Sequence, residues 1–339
     1  DFSFSAMGGK STGAGRTVVL SSFLLGGPSG SGVATTVTLG AVAYPMLAKA
    51  GYTKEAAGGL LAAGGLGAII SPPVLGAAAF LIAEYLRISY LDVLLMAVIP
   101  TGLYYFALFL MVELDARKFG MREVTIEKID SAWTLARRYW FHFASLVSII
   151  VLMLLGFTPV TAVFWATVIS FFTSFLHRDC TLISYDLFKG KRPVVPLLTS
   201  SGFIKALQAG STGMLVVAAT CAGAGIIVGV VTLTGLGLKF SSIVLQYAGN
   251  SLLLTAIFTA LIVWIVGLAV PVTASYIICA VIAAPALMAL KVPDFAAHMF
   301  IFYYAVLSEV SPPTALSPFA AAAITGGDPY KTTLQSWCH

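Results

Sequence analysis

Charge is scarce in this chain. Only 10% of its 339 residues are Asp, Glu, Lys or Arg, 59% are hydrophobic, and the mean hydropathy is +0.96. Soluble domains carry about 25% charged residues, so one globular core cannot hide this much apolar surface and the bilayer is the expected solvent. Cysteine is sparse too. Cys180, Cys221, Cys279 and Cys338 form no CxxC and no Cys/His cluster, which excludes a zinc site or a disulfide framework. No HExxH, GxSxG or paired-Asp motif lies in the apolar runs, so a membrane-embedded enzyme has no support and no catalytic residue is expected. No signal peptide is expected. The GGKST run at Gly8–Thr12 lacks the upstream glycine and preceding strand of a phosphate loop, and reads as linker.

The net charge of +5 does not mark a nucleic-acid surface, because Lys and Arg are dispersed in short loops between apolar runs. Those runs give an all-α polytopic membrane protein. Ordinary spans are expected at roughly 92–112, 139–155, 158–176 and 209–231. The two middle ones pair as a helical hairpin across Gly156–Pro159. Residues 113–138 mix both signs and read as a cytoplasmic connector, and 177–208 as a second cytoplasmic loop.

The remaining apolar segments match one another in order. In a first repeat, 16–90, short apolar halves flank GGPSGSG at Gly26–Gly32, and a helix at 53–70 is broken by SPP at Ser71–Pro73. In a second, 247–327, short halves flank GLAVPVTAS at Gly267–Ser275, and a helix at 294–309 is broken by SPP at Ser311–Pro313. Residues 1–15 are left as a polar remnant, 209–246 as a span with its outer loop, and 328–339 as a tail. Two short halves joined by a Gly/Pro turn read as a re-entrant hairpin. Unwound backbone at membrane depth survives only inside protein or along a wet cavity, so the four breaks should converge.

Five spans separate the two hairpins, counting the broken helix, so the second repeat is expected upside down relative to the first. With 113–138 in the cytoplasm, only Arg87, Lys239 and Lys291 of the 19 Lys and Arg residues fall outside, as the positive-inside rule requires.

Inverted repeats with broken helices point to a secondary transporter. Half-helix ends offer carbonyls to a cation and amides to an anion. The hydroxyls of Ser29, Ser31, Thr35, Ser71, Thr273, Ser275, Ser311 and Thr314 add hard oxygen ligands. Any one of them could equally serve helix packing; the matched order of four breaks favours a site. Glu309, two residues before the second SPP, is an intramembrane carboxylate. It could hold a cation or a proton, or pair structurally with His298 or a backbone donor.

Along Ser29–Tyr52, in ISPPVLGAAAFLIAEYL, in Gly225–Leu245, in GLAVPVTASYI and in AVLSEVSPPTALSPFAAAAITGGDP, the chain resembles the large membrane subunit of tripartite ATP-independent periplasmic (TRAP) transporters. The likeness is to the form in which small and large membrane subunits are fused, of which this chain would be a fragment. The resemblance implies Na⁺-driven uptake of small organic acids by an elevator movement. It also implies delivery by an extracytoplasmic solute-binding protein, a small-subunit portion as partner, and a bacterial or archaeal cytoplasmic membrane.

Two Na⁺ sites are implied, with Na⁺ as coupling ion and no other metal or cofactor. The first would use Ser29, Gly30, Ser31, Thr35, Ile70, Ser71 and Pro72. The second would use Gly267, Val270, Thr273, Val310, Ser311 and Thr314. Substrate would lie near Ser31, Thr35, Ser71, Thr273, Ser275 and Ser311. Thr35 stands where the family has Asn, and Val270 and Val272 where it has Leu and Thr. A divalent-anion/Na⁺ symporter needing no binding protein is the competing reading within transport. A channel, without Na⁺-dependent conformational exchange, is another.

Overall fold

A computed structural model describes residues 2–7, 11–73, 75–124, 131–138, 140–173, 200–249, 251–268, 270–313 and 315–339. Helix is the regular structure throughout, with no strand among the described residues. By contact the chain divides into a unit of 1–132 with 221–339 and a unit of 133–220.

The larger unit opens with α1 (Phe2–Met7) packed on α2 (Gly13–Ser29), where a linker was expected; Gly8–Lys10 of the GGKST run lie outside the described residues. Ser3 is its buried residue, and Phe2, Phe4 and Met7 are partly buried. A two-residue turn leads into α3 (Gly32–Ala50), followed by α4 (Lys54–Ile70), an unwound stretch, and α5 (Ala77–Leu86). Next comes α6 (Tyr90–Phe119), a single helix that runs into the expected connector, whose residues 125–130 lie outside the description. Asp115, Arg117 and Lys118 lie in its last turns, and the cations there suit a helix C-terminus.

The smaller unit holds α7 (Ala132–Arg138), a 3₁₀ turn at Trp140–Phe143, α8 (Ala144–Leu154) and α9 (Pro159–Thr173). The last two pack as the expected hairpin, although α8 is 11 and α9 15 residues long. The loop expected at 177–208 lies outside the description as far as residue 199. Then α10 (Ser200–Thr234) begins in this unit and ends in the larger one, containing the span expected at 209–231.

The larger unit continues with α11 (Leu236–Ala248), set at 73° to the preceding helix. Second-repeat elements follow: α12 (Leu252–Gly267), α13 (Val272–Ile282), α14 (Ala284–Ala289), α15 (Asp294–Leu307), a 3₁₀ turn at Ser308–Val310, and α16 (Leu316–Thr325). Pro285 removes a backbone donor and splits α13 from α14. Ser241 of α11 donates to the carbonyl of Ile282 at that split, 3.0 Å away. Last comes α17 (Pro329–Cys338), in the segment expected as a tail. Asp328 caps it by accepting from the Lys331 amide at 2.8 Å, Pro329 starts it, and Thr332, Thr333 and Ser336 form its buried face.

Helix α4 is the axis of the larger unit. Every residue from Ala56 to Ile70 is buried, as a helix apolar all round must be. Helices α2, α3, α16 and α17 pack on it, with α6 beside them. Its glycines permit this. A methyl group at Gly59 would strike the backbone of Gln335 and Ser336, and one at Gly65 would overlap Thr36 Oγ1 and the Gly32 carbonyl. The broken helices also interlock. Helix α5 packs on α13 and α15, and α16 packs on α3 and α4.

Among the described residues, α3 and α6 are each long and apolar enough to cross a membrane, and the bent pair 218–234 with 236–248 is so together. The long α3 differs from expectation. It starts directly at the tip and continues through Pro45 to a left-handed cap at Gly51, so length alone does not make this arm re-entrant. On α6, Leu95, Ile99, Leu103, Phe106 and Leu114 form an exposed apolar stripe, each at least 55% accessible. Such a stripe is costly in water and matched by lipid.

Gly65→Ala is expected to destabilise the folded protein by about 1–3 kcal/mol through overpacking. Gly102→Ala, at a position facing open space, should be neutral or slightly stabilising. Thermal unfolding of the two purified variants in detergent measures the difference.

Candidate functional site

The tip between α2 and α3 is tighter than the sequence indicates. Helix α2 runs through GGPS to Ser29, and only Gly30 and Ser31 turn. Gly30 adopts φ 56°, a left-handed value that suits glycine, and its amide reaches the Gly26 carbonyl at 3.1 Å. Ser31 is extended and caps α3 through the Ala34 amide at 3.4 Å. This tip lies against the first break: a Cβ on Gly30 would stand 3.4 Å from the Leu75 carbonyl, beside Gly76. Expectation had placed it against Ile70–Pro72. The difference arises because Ser71 is held toward α6, its hydroxyl contacting Tyr105 Oη at 3.2 Å.

The two breaks are closed by equivalent bonds. At the first, Ser71 Oγ donates back to the Gly67 carbonyl at 2.5 Å, and Thr101 Oγ1 donates to the Ile70 carbonyl at 2.6 Å. At the second, Ser311 Oγ donates back to the Leu307 carbonyl at 2.8 Å, and Trp337 Nε1 donates to the Val310 carbonyl at 2.9 Å. Each SPP serine also meets an aromatic polar group, Tyr105 Oη at Ser71 and Trp264 Nε1 at Ser311. Both Pro–Pro peptide bonds are cis. A carbonyl carries two lone pairs, so Ile70 and Val310 each retain one acceptor direction for a cation.

The second tip lies on the second break. A Cβ on Gly267 would meet Ser308 Oγ at 2.8 Å and Ser275 Oγ at 3.3 Å. Val270 lies in the turn, and Pro271 precedes α13, in which Thr273 is half-buried and Ser275 fully buried. The first tip touches this break as well: a Cβ on Gly32 would stand 3.1 Å from both Glu309 Oε1 and Ser317 Oγ. The second break therefore contacts both tips, and the first tip contacts both breaks, joining the four unwound stretches into one cluster. Thr314 and the side chain of Ser29 lie outside the described residues.

Thr35, in the first turn of α3, is 2% exposed and its Oγ1 has no hydrogen-bond partner. A buried orphan hydroxyl is costly, and here it sits where a ligand site was expected. Glu309 does not pair with His298. Ser317 Oγ donates to Glu309 Oε1 at 3.1 Å, while His298 Nδ1 bonds Tyr276 Oη at 2.8 Å. An apolar cleft of about 430 Å³ between α2 and α6, lined by Phe23, Pro72, Val98 and Tyr105 among others, has an almost wholly apolar wall.

Residues 1–338 match the family described as tripartite ATP-independent periplasmic transporter, DctM component. The chain belongs to this family. A curated relative is the 2,3-diketo-L-gulonate TRAP transporter large permease protein YiaN of Escherichia coli (strain K12), 36% identical over 89 residues. That match takes in 26% of this chain and 21% of the relative.

For this DctM chain, the donors that close the breaks went unrecognised in the sequence. Thr101, Tyr105, Trp264 and Trp337 lie outside the Gly/Ser/Pro segments, and only the polar edge on an otherwise apolar aromatic marks the last three. Thr101→Val and Trp337→Phe should each cost about 1–3 kcal/mol, because each strands a buried carbonyl at the same position of its break. Thermal unfolding of the purified variants tests whether the two losses are comparable.

Proposed function

We propose that the chain is the permease core of a secondary active, Na⁺-coupled system for uptake of small organic acids, working in a bacterial or archaeal cytoplasmic membrane. It takes its substrate from an extracytoplasmic solute-binding protein and works with a small membrane-subunit portion. The observation that carries this reading is the single cluster of two helix tips and two helix breaks, with the orphan Thr35 hydroxyl in the first turn of the helix that leaves the first tip. Hard oxygen ligands and spare carbonyl lone pairs suit Na⁺, and the amides opening α3, α5, α13 and α16 suit a carboxylate. The sugar acid in the relative's printed name is a substrate of that chemistry. Interlocked repeats that share one central cluster are compatible with an elevator movement, in which the cluster travels as a body.

Reconstitution of the full-length permease with its binding protein into proteoliposomes tests this reading. Accumulation of labelled organic acid should require both an inward Na⁺ gradient and the binding protein. Uptake indifferent to Na⁺ would defeat the coupling, and uptake without the binding protein would favour a stand-alone symporter. Thr35→Val keeps the shape and removes the hydroxyl. It should leave the protein folded and weaken Na⁺ binding about tenfold, the loss expected for one ligand to a charged group; Na⁺-dependent thermal stabilisation reads this directly.

A further inference from the structure

Helix α12 is the first arm of the second hairpin, and its two faces differ. Leu253, Ile257, Leu261 and Ile265 are exposed, as on a lipid-facing side. The buried side repeats every fourth residue, through Thr255, Thr259, Val263 and Gly267. These stand about 6 Å apart along the helix axis.

Thr255 is 0% and Thr259 1% exposed, and neither Oγ1 has a hydrogen-bond partner. A threonine inside a helix can donate to the carbonyl four residues back. Buried threonines elsewhere in this chain do so, Thr17 to Gly13 at 2.7 Å and Thr333 to Pro329 at 2.8 Å. Thr255 and Thr259 leave that bond unmade on two consecutive turns. The first hairpin differs, since Thr17 and Ser22 of α2 both return their protons to their own helix. Helix packing does not explain the pair: valine would pack as well without stranding a hydroxyl.

The row of hydroxyls continues to the second break. The Val263 carbonyl, one turn beyond Thr259, accepts from Ser275 Oγ on α13 at 3.5 Å. Ser275 Oγ and Ser308 Oγ lie beside Gly267, 3.3 and 2.8 Å from where its Cβ would stand. At the other end Ser251 caps α12 through the Leu254 amide. A hydroxyl therefore recurs at each turn over about 24 Å, from Ser251 through Thr255, Thr259 and Ser275 to Ser308. Steps of about 6 Å are two O–H···O hydrogen bonds long, so one water can join each rung to the next. With Lys239 and Lys291 outside by the positive-inside rule, the Ser251 end faces the extracytoplasmic side.

We propose that the seam between α12 and α13 is a hydroxyl-lined path by which a monovalent cation reaches the second tip from the extracytoplasmic side. Thr255 and Thr259 replace part of the ion's hydration along the way and do not belong to the site at its end. The seam is closed in this structure, and the two arms part to admit the ion. That the ion is Na⁺ rests on the transport reading above; the path does not.

Silver ion, a monovalent cation of Na⁺-like size that binds thiols, probes the path without transport. Thr255→Cys and Thr259→Cys are placed singly in the full-length permease with its native cysteines replaced by alanine. Sealed vesicles of either orientation receive Ag⁺ in buffer free of Na⁺ and chloride, and the remaining thiols are counted with a maleimide after unfolding. Both thiols should be lost about tenfold faster than that of the lipid-facing Leu253→Cys, because an ion avoids hydrocarbon, and faster from the extracytoplasmic side. Rates equal to Leu253→Cys, or entry from the cytoplasmic side only, overturn the proposal. Saturating Na⁺ should slow the reaction. Silver access that ignores Na⁺ supports the path and counts against Na⁺ as its ion, so the two readings fail separately.

The double variant Thr255→Val/Thr259→Val keeps the shape of both side chains and decides the matter if the cysteine variants do not fold. Trp264 and Trp337, whose indole N–H groups bond the second break, report Na⁺ arrival by fluorescence. After a Na⁺ jump the response should be about tenfold slower in both directions, with the half-saturating Na⁺ concentration unchanged. A half-saturation moved by that factor makes the threonines ligands of the site and overturns the path.

Discussion

Unwound backbone in an apolar medium has no water to fall back on, and this constraint organises the protein. Each break in a helix frees carbonyls and amides that must find partners inside the fold. The chain meets the demand in the same way twice. A serine bonds back to the carbonyl four residues earlier, and a neighbouring helix caps the carbonyl just before that serine. The capping residues differ, a threonine on α6 in one case and a tryptophan on α17 in the other. The geometric task is shared while the chemistry that performs it is not, as expected of halves that keep an architecture and diverge in sequence.

The same accounting narrows what the cluster can bind. Most freed groups are already engaged, so a cation would find single lone pairs on Ile70 and Val310 and the unsatisfied hydroxyl of Thr35. An anion would find helix-opening amides, while the hydroxyl of Ser317 is already turned on Glu309. The cluster thus contains a carboxyl group of its own, held by a donor of the kind an organic acid would use.

The coarse architecture was legible because glycine, proline and serine act through backbone geometry, which a sequence displays directly. The GGPSGSG and SPP runs marked one tip and both breaks within a few residues. Partnerships were not legible. Nothing local in ISPP indicates that Ser71 faces α6 while Gly76 receives the tip; that depends on where Tyr105 and Thr101 arrive from more than 30 residues away. Likewise the tail folds as α17 because Gly58 and Gly59 leave a groove for it, a tertiary cause outside its own sequence. Helix α2 continues through Pro28 where a break was expected, and ends two residues later at the left-handed cap of Gly30.

The sheath around α4 has a consequence for synthesis. Much of that sheath, α16 and α17, is encoded after residue 315, whereas α4 ends at Ile70. The nascent glycine-rich rod therefore leaves the ribosome with α2 and α3 made and two of its other neighbours still to come. Glycine makes it a weak helix by itself, so it must wait, loosely formed or shielded by other hands, until α16 and α17 arrive to clasp it.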